Sequence, residues 1–278
     1  MDVPFKSSGP IGVFDYGIGG LTAVKALSDA FPDEHFIFFA DEAKNNIPET
    51  EDEARRHRTE DALRYAAFVR ERGAKLIVIG CNLMSVFALD ALSQKLDVPV
   101  IGMVEPAAAM LSQCFSEPAK HKIAVFTTEM AASLKLFTKK LQTLFPGIRV
   151  AEIGCGKLPG LISAGLTGSK EADRLVCAYT ELAGTDIDAA LLACTRFPML
   201  MDSFERAMPA VPIIDPTKML PQIAENVLEH ENLRAPCGIS HKSVLYTTGD
   251  TEAFGKAAAD IFADGLEYSV LHTEIPQN

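Results

Sequence analysis

Short apolar runs recur along the chain, each followed by a longer amphipathic or charged stretch. Ile11–Phe14, His35–Ala40, Leu76–Ile79, Val98–Gly102, Ile123–Thr127, Ile148–Ile153, Ala189–Leu192, Val211–Asp215 and Ser243–Thr247 have the length and composition of strands. Several are apolar without alternation, which predicts strands buried on both faces. Tyr268–Leu271 reads as an edge strand. The intervening stretches read as helices: from Leu21, from Thr50 to about Arg72, Met84–Lys95, from Pro106, from Thr128 to before Pro146, Ser169–Ala183, Pro198–Met208, Pro216–Glu229 and Thr251–Ala263. Thr50 and Glu53 make the T-x-x-E capping signature, and Pro106 suits a first helical turn. Strands alternating with helices imply parallel sheets. The expected fold class is therefore α/β, with mainly parallel sheets flanked by helices.

Two of the runs end alike. Leu76–Gly80 leads to Cys81–Asn82, and Ala190–Ala193 leads to Cys194–Thr195. The pair Val98–Pro99 begins 17 residues after Cys81, and Val211–Pro212 begins 17 residues after Cys194. An acid–proline pair follows in each case, Glu105–Pro106 and Asp215–Pro216. These recurrences predict two similar halves, each placing one thiol at the carboxyl edge of a sheet, where open α/β folds bind ligands. Two such halves would face each other across a cleft.

Composition narrows the partners. The chain has 278 residues, a formal net charge of −11 and 48% hydrophobic residues. That is ample for a packed core and disfavours nucleic acid and anionic membranes as partners. No apolar stretch reaches the roughly 20 residues of a membrane span, and no signal peptide is evident at Met1. Cys81, Cys114, Cys155, Cys177, Cys194 and Cys237 are scattered, without a Cys-x-x-Cys pair or a Cys/His cluster. That disfavours a metal site and points to a cytoplasmic protein with reduced thiols. Cys114, Cys155, Cys177 and Cys237 read as ordinary small residues. Arg55, Arg56 and Arg58, on the charged helix after Thr50, read as solvated surface.

The turn Asp15–Tyr16–Gly17–Ile18–Gly19–Gly20 after the first strand is glycine-rich, but Ala23 follows Gly17, Gly19 and Gly20 without the third glycine in register that a G-x-G-x-x-G dinucleotide fingerprint needs. The segments IGVFDYGIGG (Ile11–Gly20), Gly80–Asn82, VPVIGMVEP (Val98–Pro106), Val125–Glu129, Leu192–Pro198, Ile213–Asp215 and YTTGDTEAF (Tyr246–Phe254) together resemble the aspartate/glutamate racemase superfamily, and within it the glutamate racemases. The resemblance covers essentially the whole chain. It implies two similar α/β domains with the active site in the cleft between them, 1–104 with 217–278 carrying Asp15 and Cys81, and 105–216 carrying Cys194. It implies no cofactor, a small acidic amino-acid substrate, and a homodimer as the reasonable oligomeric state. The implied activity is interconversion of L- and D-glutamate for peptidoglycan synthesis by two cysteines acting as acid and base. By position Cys81 and Cys194 match the catalytic thiols, and Asp15 matches the acid that assists the first. Asn82, Thr128 and Thr195 match groups that hold the substrate's amino and carboxylate groups.

The surroundings depart from the family pattern. Tyr16 stands where a small hydroxyl residue is usual, Leu83 where threonine is usual and Arg196 where histidine is usual. The Pro-Tyr-Gly loop is missing, the nearest text being Lys44–Glu49. Ala131 replaces a threonine, and Ser163 replaces an acid expected near Pro159–Gly165. Leu83 offers no hydrogen bond to a carboxylate. Arg196 shuttles no proton near neutrality, but its charge can hold Cys194 as thiolate or clamp a carboxylate. These changes leave open a different acidic amino acid or related carbon acid as substrate, or a binding homologue that has lost turnover.

Overall fold

The computed structural model describes residues 7–42, 50–238, 242–263 and 265–274. The Lys44–Glu49 segment lies outside them. In chain order the strands are β1 (Ile11–Asp15), β2 (Phe36–Ala40), β3 (Leu76–Ile79), β4 (Val100–Ile101), β5 (Lys122–Thr127), β6 (Arg149–Gly154), β7 (Ala189–Leu192), β8 (Ile213–Ile214), β9 (Ser243–Thr247) and β10 (Tyr268–His272). The helices are α1 (Leu21–Ala30), α2 (Glu51–Glu71), α3 (Asn82–Lys95), α4 (Val104–Cys114), α5 (Glu129–Ser133), α6 (Leu136–Leu144), α7 (Leu158–Ser163), α8 (Lys170–Ala183), α9 (Met201–Ala207), α10 (Leu220–His230) and α11 (Thr251–Phe262). The chain divides into two compact units: the residues up to Met103 with those from Leu220 onward, and Val104–Met219.

The first unit holds a parallel sheet in the order β10-β9-β2-β1-β3-β4. Its central strands are buried on both faces, as their unbroken apolar text requires. Successive side chains point to opposite faces. Ile11, Val13, Phe36, Phe38 and Val78 therefore pack with Leu21, Val24, Leu220, Leu228 and Phe254 from α1, α10 and α11. Phe14, Ile37, Phe39, Ile77 and Ile79 pack with Tyr65, Ala66, Val69, Met84 and Leu92 from α2 and α3. With both faces covered, polar chemistry is confined to the ends of the strands. Thr50 and Glu53 form the expected capping box: Glu53 N–H donates to the Thr50 hydroxyl at 3.2 Å, and Thr50 N–H donates to the Glu53 carboxylate at 3.3 Å.

The second unit is a parallel sheet in the order β6-β5-β7-β8, the same arrangement as β2-β1-β3-β4. Its backbone bonds repeat those of the first. Ile77 N–H reaches Pro99 O at 3.0 Å, and Ala190 N–H reaches Pro212 O at 2.9 Å. The Val-Pro spacing read from the sequence is thus a structural repeat. The acid–proline pairs are not. Ile101 pairs with Val78 and Ile214 with Leu191, so Asp215 corresponds to Gly102, while Glu105 lies further on, in the first turn of α4.

Several helices differ from expectation. The stretch after Thr128 is two helices, α5 and α6, separated at Lys135, whose φ of 53° is left-handed. A tight turn over Phe197–Leu200, with Pro198 inside it, precedes a short α9. A similar turn at Pro216–Lys218 precedes α10. Helix α3 begins at Asn82, two residues before the expected Met84, which makes Cys81 its N-cap.

At the opposite end of the first sheet lies a buried ion pair. Lys75 Nζ sits 2.6 Å from Glu34 Oε2, with side chains 1% and 3% exposed. Lys75 also donates to Ser7 O at 2.5 Å, and Ala235 N–H donates to Glu34 Oε1 at 2.9 Å. The pair thereby ties the entry to β1, the start of β3 and the segment after α10. Burial lowers the Lys75 pKa from its ordinary value, and Glu34 opposes that shift. Glu34→Gln strands the ammonium and is expected to cost about 3–5 kcal/mol in denaturant unfolding. The stranded lysine's folded pKa lies below its unfolded one, so the unfolded chain binds the extra proton. The deficit therefore shrinks as pH rises toward the ordinary lysine value; a deficit constant with pH would contradict this account.

Candidate active site

In the first unit, β1 ends on Asp15, which is 5% exposed. Its Oδ1 accepts the Tyr16 N–H at 2.6 Å. On the neighbouring strand, Gly80 N–H donates to Phe14 O at 2.8 Å, and Cys81 follows, half-buried. Two glycines make this approach possible. A Cβ on Gly20 would stand 2.7 Å from both Asp15 Cβ and the Phe38 ring; one on Gly80 would stand 3.1 Å from Gly20 Cα and 3.2 Å from Phe14 O. No side chain therefore separates the Asp15 turn from the backbone leading to Cys81.

Cys81 makes no side-chain cap bond to α3. Its backbone is fixed instead by Ser85, whose hydroxyl donates to Cys81 O at 2.9 Å and accepts Met103 N–H at 3.0 Å. Asn82 is 3% exposed, and its Nδ2 has no hydrogen-bond partner among the described residues. A buried amide left so costs about 1–3 kcal/mol. Leu83 is half-buried on the same turn.

Tyr16 is held firmly. Its hydroxyl donates to Asp61 Oδ2 at 2.7 Å, the Arg58 guanidinium lies 4.4 Å from its ring centroid, and Tyr65 meets it edge-on at 5.9 Å. Arg58, expected on the solvated surface, is only 8% exposed because it covers this ring. Arg58 and Asp61 were not among the predicted site residues. Their signal was present as helical spacing, since Ala54, Arg58, Asp61, Ala62, Tyr65, Ala66 and Val69 form one buried stripe of α2. Beyond Tyr65, Asp41 accepts the Tyr65 hydroxyl at 2.6 Å and the Thr248 hydroxyl at 2.9 Å.

In the second unit, Ala193 N–H donates to Phe126 O at 2.8 Å, repeating the Gly80 bond, and half-buried Cys194 follows. Thr127 stands in the place of Asp15, and its hydroxyl donates to Ala193 O at 3.1 Å. Thr128 is the N-cap of α5 without a side-chain cap bond, and its Oγ1 is buried with no partner among the described residues. Thr195 is 4% exposed, and half-buried Arg196 begins the Phe197–Leu200 turn. Cys155 occupies the place of Asp41: Cys155 N–H bonds Thr127 O at 2.8 Å, and Asp41 N–H bonds Asp15 O at 3.2 Å. Burial, and then proximity to Cys194, push the Cys155 thiol pKa up. Ser163 closes α7 and is exposed. The structure thus groups Asp15, Tyr16, Cys81, Asn82 and Leu83 at one sheet edge, and Thr128, Cys194, Thr195 and Arg196 at the other. Among the described residues no set of three or more His, Cys, Asp and Glu is arranged to hold a metal ion, and no helix is long and apolar enough to cross a membrane.

A family model described as Asp/Glu/Hydantoin racemase matches residues 21–224. A glutamate racemase of Lactobacillus acidophilus is 30% identical over 260 residues, covering 92% of this chain and 94% of the relative. A solved glutamate racemase of Thermus thermophilus, in complex with beta-chloro-D-alanine, superposes with a TM-score of 0.82 at 29% identity over 97% of this chain and 98% of that one. A glutamate racemase from Francisella tularensis, in complex with D-glutamate, has a TM-score of 0.85 at 23% identity over 97% and 98% of the two chains. These likenesses confirm the α/β fold with parallel sheets flanked by helices.

The glycine contacts generate a direct check. Gly20→Ala is expected to cost about 1–3 kcal/mol of stability by overpacking, and to lower activity by pushing Asp15 off its position. Alanine at Gly160, where an added Cβ meets nothing within 4 Å, is the control. Equal thermal unfolding of the two variants would refute the close packing as a constraint.

Proposed function

The chain belongs to the Asp/Glu/hydantoin racemase family and is a racemase, an isomerase; we propose that it interconverts L- and D-glutamate, with Cys81 and Cys194 as the acid/base pair. The observation that carries this reading is the shared setting of the two thiols. Each is half-buried and follows a residue whose N–H is bound at 2.8 Å to a phenylalanine carbonyl of the central strand.

Inverting a carbon needs a base on one face and an acid on the other, with the roles exchanged for the reverse reaction. One thiolate takes the α-hydrogen as a proton, and the electron pair left on the carbon spreads into the substrate carboxylate. The other thiol then gives its proton to the opposite face. The thiols end with their protonation states exchanged. No cofactor enters this scheme.

An ordinary thiol has a pKa of about 8.5, so the thiolate needs support. For Cys81, the N-terminus of the 14-residue helix α3 supplies partial positive charge. A helix of that kind was expected behind both cysteines. Behind Cys194 there is a tight turn and a seven-residue helix instead. We assign the supporting charge there to Arg196, two residues along, which also suits a carboxylate clamp. Asp15 assists Cys81. Asn82, Thr128 and Thr195 hold the substrate's amino and carboxylate groups, the first two through the buried atoms that lack partners. Leu83 and the Tyr16 ring border the site without adding a carboxylate donor. We place the product in peptidoglycan synthesis and the protein in the cytoplasm, where thiols stay reduced.

The test is incubation with L-glutamate in heavy water. D-glutamate carrying α-deuterium is the expected product, and absence of both exchange and inversion would reject the reading. Exchange on another acidic amino acid, with none on glutamate, would keep the chemistry and change the substrate. Cys81→Ser and Cys194→Ser are each expected to lower kcat by about 10²–10⁴-fold with thermal unfolding unchanged. Retention of turnover by either variant would remove that cysteine from the mechanism.

A further inference from the structure

Tyr16 is joined to the chemistry at one end and to α2 at the other. Its N–H is on the Asp15 carboxylate at 2.6 Å, and its hydroxyl is on Asp61 at 2.7 Å. Resting on the reading that Asp15 serves Cys81, we propose that Asp61 and Arg58 are positioning residues for the reaction. By fixing Tyr16 through its hydroxyl and its ring, they hold its backbone N–H on Asp15 and keep that carboxylate ionised and oriented.

Asp61 is 1% exposed and Arg58 8%, on consecutive turns of one helix. Asp61 also pairs with Arg64, which is itself partly exposed. A buried charged set of this kind is a poor source of stability compared with packed apolar side chains. What it adds is direction: the tyrosine ring is fixed from above by Arg58, from the edge by Tyr65 and at its tip by Asp61. Burial pushes the pKa of both tyrosine hydroxyls far up, so both remain protonated donors throughout the working range.

Of the titratable groups nearby, Tyr16 shares the Asp15 turn, Cys81 lies one residue past Gly80 and Asp41 follows β2, while Arg58, Asp61 and Tyr65 meet Tyr16 and Arg64 pairs with Asp61. Asp41 gives its own N–H to Asp15 O at 3.2 Å. The Tyr16 N–H favours the ionised form. Loosening Tyr16 therefore takes from Asp15 a donor that favours its ionised form.

The two enantiomers have equal free energy, so any variant changes kcat/KM equally in both directions. A role confined to the first thiol must appear elsewhere: in the acid limb of kcat, and in the isotope effect with α-deuterated substrate, each measured separately for L and D. Asp15→Asn identifies the direction in which Cys81 is the base. In that direction Tyr16→Phe and Asp61→Leu are expected to move the acid limb of kcat up by about one pH unit and to enlarge the isotope effect. The opposite direction keeps its limb. Asp61→Asn, which retains an oxygen for the tyrosine hydroxyl, shifts the limb less than Asp61→Leu. Equal shifts in both directions, or none, for Tyr16→Phe overturn the positioning role. If Asp15→Asn shows no directional effect, the assignment of Asp15 fails and the role of Asp61 and Arg58 fails with it. If Asp15→Asn is directional and Tyr16→Phe is not, only the latter fails.

Discussion

One backbone hydrogen bond, made twice, governs where this chain presents its chemistry. The residue before each half-buried cysteine gives its N–H to a phenylalanine carbonyl on the central strand, at 2.8 Å in both units. This ladder contact lies beyond the last strand residue and holds the backbone extended up to the thiol. It also demands a small residue. Gly80 has Gly20 Cα and Phe14 O against it, and Ala193 is 2% exposed. Because both faces of the central strands are packed with aliphatic and aromatic side chains, the strand ends are where buried polar groups gather.

Much of this was legible in the sequence because strand text and thiol position are local. Unbroken apolar runs specify doubly covered parallel strands. The T-x-x-E signature specifies the start of α2, and the equal spacing to each Val-Pro pair reflects equivalent pairing with Ile77 and Ala190. The failures come from properties that spacing does not carry. The acid–proline pairs follow strands of equal register, yet Glu105 and Asp215 fall at different depths because the connections after β4 and β8 differ. The break at Lys135 depends on one left-handed residue that no glycine announces. Arg58 looked solvated because a charged helix invites that reading, whereas its burial depends on Tyr16, some forty residues away in the chain. The residues grouped at each sheet edge were legible chiefly through resemblance.

The two edges are equivalent in backbone and unlike in side chains. Asp15 corresponds to Thr127, Asp41 to Cys155, and the long helix behind Cys81 to a tight turn behind Cys194. The first edge carries buried carboxylates satisfied by tyrosine and threonine hydroxyls. The second carries a buried thiol whose pKa is raised, and a half-buried arginine. On the proposed two-thiol mechanism, the two bases need not be built alike. Equality of the enantiomers constrains only the sum of the steps in each direction, and unequal thiols satisfy it as readily as equal ones.

What the edges also share is a buried polar atom without a hydrogen-bond partner among the described residues. Asn82 Nδ2 and Thr128 Oγ1 are both buried beside a proposed thiol, one on each unit. Each costs the unliganded protein about 1–3 kcal/mol. A packed chain that satisfies the Asp41, Ser85 and Thr127 hydrogen bonds so completely has the means to satisfy these two as well. Leaving them unsatisfied is sensible if a ligand with acceptor oxygens completes them, since the penalty then disappears on binding and adds to affinity. An amino-acid carboxylate has two such oxygens. Replacing either donor with an apolar residue of similar shape would therefore stabilise the empty protein while weakening substrate binding. This opposition of stability and affinity is the signature of a binding group, and a core residue does not show it.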